Sequence, residues 1–477
     1  MKVTIPSSRS KLALSAIAIV ALSGCASASL EENISRVNDE ARSFTDGNLS
    51  LSRTNDERVK RANAAQALLG SPVGQREAVQ LALLNSPSLQ TLLAQGWAAS
   101  AEAAQSGRIS NPMVSFERLV NGAELELGRS LSFGLLDVLT LPARQGIASL
   151  RMEQSQLRLT SEVIDQVTKV RQAWVRAVTA EQTFQYAQQV FASAEASSEL
   201  ARRMQSVGNF NRLRRAREQA FYADAATRLA TASHQVTATR EELVRFLGLD
   251  EAQAQALTLP KRLPDLPKQA LEPQVIGAQA TRARLDIRLA HSALAASAKS
   301  QGLTTVTSFT DIELTARSKT QFDNAAGTRT RLGGYEVGVR LPIFDWGNMQ
   351  RDAMNARTLA AANFLEATVR AAGSSLRESY SAYRTSYDIA RHYRDEVVPL
   401  RKVIAEENQL RYNGMIIGVF ELLADSRDQV NAVTAAIGAE QQFWLADAAL
   451  KASMIGRPSN TNLTLTTSPP SAGGAGH

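Results

Sequence analysis

Three stretches of the chain alternate apolar and polar residues with a period of two. In the first, Ala123, Leu125, Leu127, Leu131 and Phe133 share one parity, and Glu124, Glu126, Gly128, Ser130 and Ser132 take the other. In the second, Val306, Ile312 and Leu314 oppose Asp311 and Glu313. In the third, Tyr335, Val337, Val339, Leu341 and Ile343 oppose Glu336, Gly338 and Arg340. The pattern predicts strands at about 110–134, 303–316 and 334–344, building a sheet with one apolar and one polar face. Runs of roughly 10–14 residues have the length of a tilted strand crossing a bilayer. The alternative is a small soluble sheet packed on helices, but the runs lie isolated between very long helical stretches. Four strands cannot close a barrel, and an open edge is not tolerated in lipid, so a membrane sheet here requires strands shared between subunits.

Elsewhere the apolar spacing is three and four. Val163, Val167, Val170, Trp174, Ala177 and Phe184 form one seam, and Leu376, Tyr380, Tyr383, Tyr387 and Ala390 form another. Both read as coiled-coil seams whose aromatics pack between helices. No proline occurs from Arg144 to Val207, and 64 helical residues extend about 96 Å, longer than any compact domain needs.

These patterns occur twice. Asp137 and Asp345 each precede a long helical stretch, 208 residues apart. Val170-Arg171-Gln172-Ala173-Trp174 answers Leu376-Arg377-Glu378-Ser379-Tyr380, 206 apart. Gly208 with Arg217-Glu218-Gln219 answers Gly418 with Arg427-Asp428-Gln429, 210 apart. The near-constant offset predicts a tandem duplication of helix, strand, strand, long helix and returning helix. The first repeat spans 73–256 and opens with a helix at about 74–106. The second spans 272–456 and opens with a helix at about 272–300. A proline-spaced linker at 257–271 separates them and cannot be helical. Residues 25–72 read as an extended lead segment with weak helical patterning, and 457–477 as a disordered tail.

Composition sharpens this mainly-α picture. Of 477 residues, 75 are alanine, as expected of long helices. The net charge of +7 is mild and spread out, which does not point to nucleic acid. The single cysteine excludes a disulfide framework and any multi-cysteine metal site, and the four scattered histidines argue against a histidine-based one. No phosphate-binding glycine loop and no nucleophile elbow is present, so no catalytic site emerges and no cofactor is expected. The one cysteine has a specific place. Lys2, Arg9 and Lys11 precede an apolar run from Leu12 to Leu22, a signal peptide over residues 1–24, which ends in Leu22-Ser23-Gly24-Cys25. This quartet is similar to the bacterial lipobox, in which the cysteine after the cut receives lipid. The alternative is an ordinary cut near Ala26 or Ala28. Ala26, in place of aspartate after the cysteine, implies sorting to the outer membrane.

Taken together, the residues resemble the TolC-type outer-membrane efflux family, including lipidated members of the CusC, CzcC and OprM kind. The carriers are the lipobox, the doubled element order, Ser110-Asn111-Pro112 before the first strand, Leu341-Pro342-Ile343-Phe344-Asp345-Trp346-Gly347 after the last, and the segment Arg411–Arg427. The resemblance covers roughly residues 74–455. It implies a homotrimer with a 12-stranded barrel in the outer membrane of a Gram-negative bacterium, continued by a long coiled-coil tunnel in the periplasm. It also implies partnership with a periplasmic adaptor and an inner-membrane pump of the RND type, or with an ABC exporter.

Arg411–Arg427 resembles the closed periplasmic tip of the family. Tyr412 matches its tyrosine and Glu421 its first acid. Ile417 stands where a basic residue is expected, Ala424 where the second acid is expected with Asp425 beside it, and Gly414 lies one residue early. Tyr412, Glu421 and Asp425 are therefore the gate candidates, with Glu421 and Asp425 stacked at i,i+4. Ser206–Asn211 resembles the other tip turn, where adaptors dock. The docking candidates are Gly208, Asn209, Arg212, Gly414 and Gly418, with the arginines 212, 214, 215 and 217 serving as docking contacts or as solvated charge. Glu124, Glu126, Asp311, Glu313 and Glu336 face the lumen if the apolar parity faces lipid, which predicts a cation-favouring mouth. Pro342 and Trp346 mark a strand-to-helix junction, where the tryptophan fits either an interfacial belt or a packed joint. Three functions remain: a passive duct for efflux of drugs or metal cations, a duct for protein or peptide secretion, and a coiled-coil lipoprotein without a pore.

Overall fold

The computed structural model describes residues 30–458 except 46, 123, 273–283, 309 and 324. The signal peptide, Cys25, Ala123, the start of the helix expected at 272–300 and nearly all of the tail lie outside the described residues. Among those described, the order is α1 (Leu30–Thr45), α2 (Asn55–Leu68), α3 (Gln75–Asn85), α4 (Pro87–Gln105), β1 (Met113–Asn121), β2 (Glu124–Gly134), α5 (Leu135–Leu139), α6 (Leu141–Ser206), α7 (Arg212–Leu247), α8 (Glu251–Ala256), α9 (Leu285–Thr307), β3 (Ile312–Asp323), β4 (Thr328–Val339), α10 (Asn348–His392), a π-helical turn (Tyr393–Val397), α11 (Val398–Asn413) and α12 (Val419–Ile455). The fold is mainly helical with one four-stranded sheet.

The two long helical stretches match closely. Helix α6 covers residues 141–206, and α10, the π turn and α11 together cover 348–413, so both begin and end 207 residues apart. The returning helices α7 and α12 also start 207 apart, at 212 and 419. The second stretch contains Pro399. Proline has no N–H for the carbonyl four residues back, and the turn before it widens so that Val398 N–H bonds Tyr393 O.

Four local readings of the sequence are corrected. The lead segment is helical rather than extended. Leu30, Asn33, Val37, Ala41 and Phe44 are buried at helical spacing, and the polar Asn33 on that stripe hid it. The helix expected at 74–106 is two helices, because Ser86 adopts an extended conformation ahead of Pro87. Residues 303–307 end a helix rather than begin a strand. Thr304, Thr305 and Thr307 look β-forming, but their hydroxyls bond back to the carbonyls of Ser300, Gln301 and Leu303. Strand β3 instead runs on through Arg317 and Lys319 to Asp323, and β4 starts at Thr328 and stops at Val339, before Pro342.

The chain divides into two units. The first comprises Met1–Val37, Ala94–Leu159 and Ile287–Val369 and contains the sheet. Its helices are joined by polar bonds: Asn33 Nδ2 donates to Ser100 Oγ at 3.0 Å, and Gln156 Nε2 donates to Asn33 Oδ1 at 2.6 Å.

The second unit comprises Asn38–Leu93, Thr160–Asp286 and Arg370–His477. Both predicted aromatic seams are packed within it. Tyr383, Tyr387 and Phe443 form one cluster with Leu266 and Leu450, and the linker over 257–271 lies on it as irregular chain, with Tyr387 Oη donating to Pro267 O at 3.0 Å. Trp174 is buried on α6 and its Nε1–H donates to Val73 O at 2.8 Å. Trp174→Phe keeps most of the ring but orphans that carbonyl. It is expected to cost about 1–3 kcal/mol, read as a lower denaturant midpoint at constant slope. Gly248 caps α7 with φ +69, and any side chain there would meet Pro87 Cδ at 2.4 Å.

Candidate functional site: a two-faced sheet and two helical turns

The sheet has the order β1-β2-β3-β4, all antiparallel. Strands β1 and β2 turn just after Asn121, which pairs with Glu124, and Gly122 takes φ +57 there. Strands β2 and β3 join the halves of the chain, and β1 and β4 are the edges. Every residue of both edge strands is exposed.

Directly paired residues share a face, so the register sorts every side chain. One face carries Glu117, Glu124, Glu126, Glu313, Asp323 and Glu336 with Arg317 and Lys319, among serines, threonines, glycines and a few apolar residues. The other carries Val114, Phe116, Val120, Leu125, Leu127, Leu131, Phe133, Ile312, Leu314, Ala316, Phe322, Tyr335, Val337 and Val339. Phe116 is 77% and Tyr335 83% exposed, far from the usual fate of an aromatic ring in a lone soluble chain. The only charged residues on this apolar face are Arg118, Arg129, Arg329 and Arg331. Six acids and two bases give the polar face a net charge of −4 per chain, and four arginines give the apolar face +4.

The structure thus brings Glu124, Glu126, Glu313 and Glu336 together on one face. Asp311 lies just before β3, on the same parity. Three of these five acids are already matched: Glu126 pairs with Lys319, Glu336 with Arg317 at 2.6 Å, and Asp311 with Arg340 at 3.6 Å. The acidic face expected from the sequence is therefore mixed but net-acidic. Arg317 and Lys319 were missed because their segment has no apolar alternation. Glu117 and Asp323 also belong to the face, and only the register could have placed them.

The two long-helix ends close with the same turn. After α6, Asn209 N–H bonds Met204 O and Gly208 N–H bonds Gln205 O, a Schellman pair with Gly208 at φ +82. After α11, Ile416 N–H bonds Arg411 O and Met415 N–H bonds Tyr412 O, and the left-handed residue is Met415 at φ 59. The equivalent of Gly208 is thus Met415, not Gly418. Gly418 instead matches Asn211, the cap of α7, whose side chain accepts from Arg214 N–H at 2.8 Å. Gly414 adopts an ordinary φ of −78 and needs no glycine. A methionine in the left-handed region costs about 1–2 kcal/mol, which places backbone strain in the second turn.

Gly208, Asn209, Arg212, Gly414 and Gly418 are all exposed on these turns, as are Tyr412 and Glu421. Asp425 is half-buried and accepts from Asn408 Nδ2, while Asp428 pairs with Arg401 at 3.2 Å, so both acids bind their own helix pair. Arg427 does the opposite. Its Nη2 donates to Glu218 Oε1 of α7 at 2.8 Å, its guanidinium lies 4.6 Å from the centre of the Phe221 ring, and Glu218 also accepts from Ser197 Oγ at 2.7 Å. The sequence sets these two residues in triplets aligned 210 apart, but at the observed offset of 207 Glu218 answers Asp425 and Arg427 answers Ala220, and their pairing is invisible there. On the first turn side, Arg202 and then Arg203 hydrogen-bond Glu199 and hold its carboxyl below the usual range. Among the described residues no group of three or more His, Cys, Asp or Glu could hold a metal, and no helix is long and apolar enough to cross a membrane.

Comparison with protein-family models and with curated proteins gives no match. Solved structures do match. The outer membrane protein VceC of Vibrio cholerae superposes with a TM-score of 0.66 at 15% identity, covering 83% of this chain and 96% of that one. The CmeC outer membrane channel of Campylobacter jejuni gives 0.67 at 14%, over 87% and 90%. The MtrE outer membrane channel of Neisseria gonorrhoeae, in its open state, gives 0.64 at 19%, over 83% and 91%. The fold is that of the TolC-type outer-membrane channels. The shared fold extends over nine-tenths or more of each of these chains.

Proposed function

We propose that the chain is the outer-membrane channel of a tripartite efflux system, a passive duct for small solutes, drugs or metal cations, that leave through an inner-membrane pump and a periplasmic adaptor. The carrying observation is the sheet: a net-acidic face, an exposed apolar face and two unpaired edge strands. Such a sheet is stable in a bilayer only when β4 of one copy meets β1 of the next, and three copies would close a 12-stranded barrel with the acids inside. Trp346, 61% exposed beyond β4, fits an interfacial belt at the barrel's inner rim. A lipid on Cys25 anchors the mature N-terminus to the same membrane.

The helical ends form the gate and the docking surface. Arg212, Arg214 and Arg215 crowd the first turn of α7, against the helix dipole, and an acidic adaptor surface would relieve that repulsion. Adaptor binding opens the duct by favouring the open arrangement of the tips. The double variant Glu421→Ala with Asp425→Ala removes the Asn408 bond and both acids of the stacked pair. If about 1.5 kcal/mol of closed-state preference is lost, the open population rises about tenfold. Basal single-channel conductance in planar bilayers and antibiotic sensitivity in cells should both increase. Unchanged leakage in both rejects these two residues as gate elements, and a purified protein that stays monomeric and never conducts rejects the channel itself.

A further inference from the structure

We propose that the turn-proximal end of the sheet's apolar face binds anionic, phosphate-bearing lipid headgroups through Arg118, Arg129, Arg329 and Arg331. The proposal rests on the reading that this face meets the bilayer. The rows nearest the helices are apolar: Ile312 with Val339, then Phe133, Leu314 and Val337, then Val114, Leu131, Ala316 and Tyr335. The three rows nearer the hairpin turns hold all the arginines. Arg129 lies beside Phe116 and Ser318. Arg118 and Arg331 flank Leu127 and Thr320. Arg329 lies beside Phe322 and stacks on its ring at 5.2 Å. With strands about 4.8 Å apart and residues i and i+2 about 6.8 Å apart, the patch is roughly 14 Å in each direction.

All four arginines are exposed, and among the described residues none forms an ion pair. No acid stands on this face of the sheet to receive them. Nor can assembly supply one, because a neighbouring copy presents the same face, with four more arginines. A guanidinium at the centre of a lipid-facing wall is costly and becomes tolerable near the interface, where a headgroup accompanies it. Arginine forks match phosphate oxygens two by two, and the hydroxyls of Ser318 and Thr320 lie between them. An apolar band that ends in a positively charged rim fits a molecule with acyl chains and a phosphate head. A soluble phosphate or a phosphopeptide satisfies only the rim.

The test uses the full-length channel in vesicles of equal parts phosphatidylglycerol and phosphatidylcholine, with one lipid or the other brominated high on its acyl chains. Leu127→Trp places a reporter between Arg118 and Thr320, and its signal is taken above that of the four native tryptophans. Brominated phosphatidylglycerol should quench that signal about threefold more than brominated phosphatidylcholine. The preference should vanish when the four arginines become glutamine and return when they become lysine, with conductance in the same vesicles confirming that each variant is folded. Equal quenching by both lipids in the parent overturns the headgroup site and leaves the lipid-facing wall standing. Quenching by neither overturns both.

Discussion

Replacing Arg427 with alanine is expected to destabilise the region where α7 meets α12 by about 3–5 kcal/mol. Glu218 is only 1% exposed at its side chain, and Arg427 is its charged partner. Without the guanidinium, the carboxylate keeps the Ser197 hydroxyl, and the Phe221 ring loses the cation stacked on it. A buried charge with one neutral donor is the costly state, so the single variant should be worse than the double variant Glu218→Gln with Arg427→Met, which removes charge from both sides. Amide hydrogen exchange provides the readout, because the loss is local. At 1.4 kcal/mol per factor of ten, amides of α7 around Glu218 should exchange roughly a hundred- to a few-thousand-fold faster in the single variant and recover most of that protection in the double one. Exchange unchanged in Arg427→Ala shows that the pair does not hold the two helices together. Because Arg427 reaches α7 while Asp425 and Asp428 bind within their own helix pair, this contact is also where loosening of the second turn would reach the first repeat.

The sequence is clearest where one physical rule acts alone. A stretch from Arg144 to Val207 without proline and rich in alanine has no reason to stop, and α6 does not. The seam residues Trp174, Tyr383 and Tyr387 are buried where spacing by threes and fours puts them. Reading failed where two rules compete. Thr304, Thr305 and Thr307 favour strands by branching, yet their hydroxyls satisfy helix carbonyls and extend α9. Beyond Leu314 the apolar partner positions give way to Ser318 and Thr320, so alternation ceases to mark a strand that its neighbours β2 and β4 nevertheless hold. Glycine marks the left-handed position only in the first turn, at Gly208; in the second that position is Met415, which no glycine pattern reveals. The Glu218–Arg427 pair spans 209 residues and was beyond any local rule.

If the chain forms the proposed duct, the course of β3 sets its ion preference. The sequence alone predicts a mouth lined by five acids, but the structure sets Arg317 and Lys319 on that face beside six acids, Glu117 and Asp323 included, for a net charge of −4 per chain. Asp311 and Arg340, one step beyond the ladder, cancel each other. Three copies would still surround the axis with a net charge of about −12, enough to favour cations in a confined, low-dielectric passage. In a tenfold salt gradient an ideal cation filter reverses near 59 mV, and the parent channel should reverse at a few tens of millivolts with the cation sign. Replacing Glu124, Glu126, Glu313 and Glu336 with glutamine brings the face to zero, leaving Glu117 and Asp323 against Arg317 and Lys319, and the reversal potential should fall to within a few millivolts of zero. The preference should also shrink with ionic strength as screening closes in from about 10 Å at 0.1 M to 3 Å at 1 M. Anion preference in the parent, or an unchanged potential in the variant, would place the acids outside the conducting path and turn the other face of the sheet inward.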